Sequence, residues 1–161
     1  MKPLPSVALA ATVAAIAFAA PARAAEPPQK FLFAAAQGDG SEVMLGRQIE
    51  RRGASPKVRA FGAMLVRDHS KGLREVDMLA RRMRLAVPHT VAMEARKEDM
   101  KLRRMAGRDF DAEVRSYMIS DHQKDIGDFE SQAKGSDRMT ADFANKTLPT
   151  LHHHLDMAKA L

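Results

Sequence analysis

Two histidines give the first chemical signal. His69 lies in Met64–Leu73, reading Met-Leu-Val-Arg-Asp-His-Ser-Lys-Gly-Leu, and His122 in Tyr117–Ile126, reading Tyr-Met-Ile-Ser-Asp-His-Gln-Lys-Asp-Ile. Both copies place Asp-His-x-Lys after two apolar residues and a spacer, with another apolar residue four places past the His. At helical spacing His69 falls one turn from Leu65 and Leu73, and His122 one turn from Met118 and Ile126, so both imidazoles face a core. Imidazoles buried there must satisfy one another, hold water or bind an ion.

Two further residues fall on inner stripes. Glu42 stands at steps of three and four from Asp39 and Gly46, and His154 follows Leu151 by three and precedes Ala158 by four. Its neighbours differ: His153 points outward and His152 flanks the seam, so both are read as surface residues. Three imidazoles and one carboxylate, Glu42, His69, His122 and His154, suit zinc, iron, manganese or copper. Asp68 and Asp121 sit one residue before two of the histidines, placed to orient a neighbouring imidazole across a helix interface. Tyr117, one turn before Asp121, is a candidate for the same hydrogen-bond network. A lone histidine on such a stripe is ordinarily a core residue bonded to a carbonyl or carboxylate; the duplication, with Glu42 and His154, is what points to metal. Ten of the eleven methionines follow Met1, and flexible core filling is their common use.

The elements that must hold these residues are helical throughout. A first helix is expected from near Gln29 to Gly53, loosened or bent at Gly38-Asp39-Gly40. Ser55-Pro56 starts the second, with the hydroxyl as cap and proline at the first helical position. Val58, Phe61, Leu65, His69, Val76, Leu79 and Met83 then keep a seven-residue rhythm to about Ala86, and Pro88 closes it. Thr90–Met105 reads as a shorter charged crossover helix with a poor stripe of Val91, Met93 or Ala95, Met100, Leu102 and Met105. Phe110, Val114, Met118, His122, Ile126 and Phe129 make the third long helix, ended by Gly135. Ser136 or Asp137 caps the fourth, and Pro149 should kink it. Nothing alternates as strands do. The expected class is all-α: four antiparallel helices in a bundle with a short extra connecting helix.

Length allows one domain. Lys2, the apolar run Val7 to Ala20 and Ala22-Arg23-Ala24 read as a signal peptide over residues 1–24, cleaved after Ala24 or, second, after Ala25, leaving 25–161 as the domain. A periplasmic or secreted protein follows. The absence of cysteine removes thiol catalysis, covalent haem attachment and zinc–thiolate sites. Loss of the leader takes away Lys2 and Arg23 and lowers the formal charge from +6 to +4. The remaining basic excess is local, between residues 81 and 108, from Arg81, Arg82 and Arg84 through Lys101 and Arg104 to Arg108, with Glu94, Glu98, Asp99 and Asp109 interleaved. It is read as a solvated, charge-paired face, the alternative being contact with an acidic envelope surface. With one tyrosine and no tryptophan there is no stacking platform for nucleic acid.

The ordered motifs Phe31-Leu32, Ser41-Glu42-Val43, Leu45-Gly46, Val66-x-Asp68-His69-Ser70-Lys71, Gly107-x-x-Phe110-Asp111, Asp121-His122 and Leu148-Pro149-x-Leu151-x-x-His154-Leu155 resemble the bacterial family known as domain of unknown function 4142. The resemblance covers essentially the whole chain after the leader. It implies a ferritin-like four-helix fold in exported proteins, with the family pattern on Glu42, His69, His122 and His154, and no settled activity. Ferritin-like di-iron proteins carry Glu three residues before each ligand His, where this chain has Val66 and Ile119. A mononuclear or non-redox site therefore fits better than a di-iron oxidation centre. The expected function is an exported metal-binding protein for envelope metal handling or stress protection. The alternative is a structural or interaction module whose buried His and Asp residues form a polar network without metal. No nucleophile or acid/base pair specifies an enzyme reaction.

Overall fold

Start signals and apolar stripes lay out five helices in the computed structural model, which describes residues 24–161: α1 Pro28–Arg52, α2 Pro56–Met83, α3 Met93–Leu102, α4 Gly107–Ala133 and α5 Arg138–Lys159. No strand occurs among the described residues, and the class is all-α. The leader expected over residues 1–24 lies, apart from Ala24, outside the described residues. Among the described residues no helix is long and apolar enough to cross a membrane.

Caps form where the side chains allow them. Ser55 accepts from the Val58 N–H at 3.2 Å ahead of Pro56, and Asp137, of the two candidates, caps α5 by accepting from Thr140 N–H at 2.9 Å. α2 stops at Met83, short of Ala86, because Arg84 turns left-handed at φ 57° and the Leu85 N–H returns to the Ala80 carbonyl at 2.9 Å. α3 is ten residues long, and its inner face differs from the stripe expected. Ala95 and Leu102, seven apart, are buried together, while Met93 and Met100 lie on the opposite face and are exposed. α1 runs unbroken through Gly38-Asp39-Gly40, and a Cβ on Gly40 would come within 3.2 Å of the Thr90 carbonyl, so the glycine admits the connecting segment. α5 likewise continues through Pro149.

The short links at 53–55 and 134–137 fold α1 back on α2 and α4 back on α5. α5 also meets α2 and α1, and α3 touches α1 and α4. The α1–α2 approach is close: a Cβ on Gly62 would lie 2.4 Å from the Glu50 nitrogen and 2.7 Å from the Gly46 carbonyl. Asp111 of α4 fastens the turn between them, accepting from Ala54 N–H at 2.8 Å and Ser55 N–H at 2.9 Å.

The apolar core falls into two clusters. Phe31, Leu32, Val76, Phe129 and Phe143 anchor one, and Leu45, Phe61, Leu65, Phe110 and Met118 the other. α1, α2 and α4 each pass from one cluster to the other across a polar stretch, at Asp39 and Glu42, at Asp68 and His69, and at Asp121 and His122. His154 lies between Leu151 of the first cluster and Ala158 of the second. The basic side chains from Arg81 to Arg108 are exposed, with Arg103 paired to Asp99 and Lys101 to Glu113.

Candidate metal centre

The apolar residues one turn away on each helix carry the three imidazoles inward. His69, His122 and His154 are 6%, 1% and 0% exposed, and their ring centroids stand 5.9 Å (His69–His122), 5.1 Å (His69–His154) and 5.4 Å (His122–His154) apart. One ring nitrogen from each lies within 4.8 Å of the others.

The partners of the remaining nitrogens fix which way the lone pairs point. His122 Nδ1 lies 3.0 Å from the Met118 carbonyl, which can only accept, so Nδ1 carries the proton and Nε2 the lone pair. His154 Nε2 lies 3.1 Å from Asp68 Oδ2. Burial works against ionisation of Asp68, but bonds from Arg67 and His154 hold its carboxyl below the ordinary value, so His154 Nε2–H donates and Nδ1 carries the lone pair. His69 Nδ1 lies 2.8 Å from Asp39 Oδ1, and its Nε2 is buried with no hydrogen-bond partner. Were Asp39 Oδ1 the donor, an Nε2–H would be buried without an acceptor, whereas Nδ1–H donating to Asp39 Oδ1 leaves only a lone pair there. Burial pulls His69 down to about 4, His122 to about 3 with the help of its two imidazole neighbours, and His154 to about 4. All three are neutral near pH 7, and three lone pairs converge.

Beside them lies a group rich in carboxylates. Glu42 is 1% exposed, and neither of its oxygens has a hydrogen-bond donor. Ligand atoms of Glu42, Asp121 and His122 lie within 4.8 Å of one another, a set that shares His122 with the three imidazoles. Burial first, then the neighbouring Asp121, pushes the Glu42 carboxyl well above its ordinary range; burial and Asp121 likewise push Asp125 up to about 7. Asp39 is raised by burial and by Glu75. Carboxyls that hold protons this firmly are short of positive charge nearby. A cavity of about 210 Å³ reaches this region past Asp39, His69, Tyr117, Asp121 and Asp125. A second, of about 320 Å³, reaches His69 and His154 from the α2–α5 side past Gly72 and Pro149.

The expected residues are distributed as follows. His69, His122 and His154 meet, and Asp68 orients His154 across the α2–α5 interface as the pattern implied. Asp121 places a ligand oxygen within 4.8 Å of Glu42 and of a His122 ring nitrogen. Tyr117 lines the cavity beside Asp121, its phenol raised by burial and by the surrounding carboxylates. His152 and His153 are exposed. Asp39 is the orienting residue that the pattern left unassigned. Its signals were its place three residues before Glu42 on the same inner line and, opposite it, Gly72, where a Cβ would lie 2.5 Å from Asp39 Oδ2.

Residues 13–161 match the family model described as Domain of unknown function (DUF4142). No curated protein and no solved structure matches the chain.

Proposed function

The chain belongs to the Domain of unknown function (DUF4142) family, and from that premise we propose a function on the chemistry of the buried centre. It is an exported, ferritin-like four-helix bundle that binds a divalent transition-metal ion for envelope metal handling or stress protection. One observation carries this reading: the N–H groups of three buried imidazoles are directed outward to Met118, Asp39 and Asp68, leaving three lone pairs to converge. Imidazoles that ligate metal almost always donate their other N–H to a carbonyl or carboxylate in this way. Two nitrogens sharing a tetrahedral zinc at about 2.1 Å stand roughly 3.4 Å apart, and His122 Nε2 and His154 Nδ1 are 3.4 Å apart. Zinc, ferrous iron, manganese and copper all accept such a donor set.

The competing reading is a module of the envelope held by a buried His/Asp network without an ion, since Asp68 and Asp39 engage their imidazoles directly. Elemental analysis of untagged protein separates the two. Stoichiometric metal that is lost in the double variant His69→Ala, His122→Ala supports the first. Metal-free protein whose melting is indifferent to added zinc, iron, manganese or copper would remove it.

A further inference from the structure

The three imidazoles leave Glu42 unexplained. Its carboxyl is almost fully buried, no lysine, arginine or backbone N–H donates to either oxygen, and one of its oxygens lies within 4.8 Å of a ligand oxygen of a second acid, Asp121. Burying an ionised acid without a partner costs several kcal/mol in general, and bringing a second acid to it adds to that cost unless one of them keeps its proton or a cation sits between them. Among the described residues no lysine or arginine donates to either Glu42 oxygen. His122 cannot supply a ligand to two ions at once, because its Nδ1–H is engaged by the Met118 carbonyl and one lone pair remains.

We propose that Glu42 and Asp121 hold a second divalent cation beside the imidazole site, making the centre dinuclear. The proposal deepens the reading above and relies on it for the first ion. The two positions differ in chemistry. Three nitrogens favour zinc or copper, whereas carboxylate oxygens with water favour manganese or ferrous iron. Access is present: the cavity lined by Asp39, Tyr117, Asp121 and Asp125 reaches Asp121, with space for water to complete a shell. Asp125 lines the same cavity as Asp121.

The test titrates metal-stripped, untagged full-length chain with Zn²⁺ and with Mn²⁺, following stoichiometry by calorimetry and bound Mn²⁺ by electron paramagnetic resonance. Zinc-loaded wild type is expected to take one further equivalent of Mn²⁺. Glu42→Gln, nearly isosteric, and Asp121→Asn are each expected to weaken Mn²⁺ by more than the roughly 10- to 100-fold that losing an outer partner costs, while retaining one zinc and wild-type helicity. Absence of Mn²⁺ uptake by zinc-loaded wild type, or Mn²⁺ affinity unchanged in both variants, overturns the second position and leaves the imidazole site standing. Failure of zinc to bind removes the imidazole reading, while Mn²⁺ uptake lost in both variants still supports the carboxylate position.

Discussion

His122 Nε2 and His154 Nδ1 face each other at 3.4 Å, and neither carries a proton to share, because the Met118 carbonyl holds the proton of one ring and the Asp68 carboxylate that of the other. Two lone pairs brought this close in an apolar interior repel unless a cation lies between them. His69 adds a third from α2, and the elements that deliver the rings are themselves fixed by apolar clusters above and below. The fold is thus arranged around a deficit of positive charge.

An ion that meets this deficit binds the folded state alone and should stabilise it. At a free zinc concentration about 100 times the dissociation constant the gain is about 2.7 kcal/mol, which for a domain of this size raises the melting temperature by roughly 5–15 °C. Thermal melts with chelator and with added zinc measure it. Superimposable curves would count against any ion at the imidazoles.

The residues that orient the rings should matter nearly as much as the rings. Asp68→Ala leaves His154 Nε2 without its 3.1 Å partner, and Asp39→Ala does the same to His69 Nδ1. Each is expected to weaken zinc by about 10- to 100-fold. Gly72→Ala should reproduce the Asp39 effect without removing a polar group, since its Cβ would stand 2.5 Å from Asp39 Oδ2 and displace the carboxylate. Competition with a chromophoric chelator gives the affinities; wild-type values in all three variants would show that orientation does not contribute.

What could be read from the chain, and what could not, divides along physical lines. The Asp-His-x-Lys repeat placed His69 and His122 on inner faces because a helix maps sequence spacing directly onto direction, and the same mapping found Glu42 and His154. It could not tell that Glu42 and Asp121 would close on one another, since that depends on how far α1 and α4 are rotated about their own axes. Asp39 was passed over between two glycines that weakened the helix signal, although one of them, Gly40, makes room for the Thr90 carbonyl. In α3 two apolar faces competed on sequence alone. Packing against α1 and α4 chose Ala95 and Leu102, and left Met93 and Met100 outside.

The metal-free protein should respond to pH in two opposing arms. Asp125, raised to about 7 by burial and Asp121, holds a proton in the folded state that the unfolded chain loses near 3.8. Its stabilisation is full below pH 3.8 and is lost as pH rises through 7. The imidazoles run the other way: their folded values near 3 to 4 lie below the ordinary 6.5, so their contribution is present above 6.5 and falls away toward 4. Above pH 6.5 the imidazole arm is flat and the carboxyl arm remains. Stability measured by urea unfolding in chelator is expected to fall between pH 6.5 and 8, by up to about 1.4 kcal/mol per pH unit for each proton released, and Asp125→Asn should lessen that fall. A level profile in the wild type, or an equal slope in the variant, would contradict the assignment.

Two glycines in the helices should give opposite answers to the same substitution. Gly127 lies within α4, and a Cβ there would meet nothing within 4 Å, so Gly127→Ala only removes unfolded-state freedom and should stabilise by about 0.5–1 kcal/mol. At Gly62 the same methyl would lie 2.4 Å from the Glu50 nitrogen and 2.9 Å from the Ile49 carbonyl carbon, both backbone atoms that cannot turn aside. α1 and α2 would have to separate there, loosening the contact that Gly46 makes from the other side, at a cost of roughly 1–3 kcal/mol or more. Because α1 carries Asp39 and Glu42 while α2 carries His69, Gly62→Ala should also lower zinc affinity although it touches no ligand, whereas Gly127→Ala should leave it unchanged. Denaturant melts paired with zinc titrations read both effects. A stabilised Gly62→Ala protein, or one with undiminished zinc binding, would mean that the close approach of the two helices does not set the geometry of the centre.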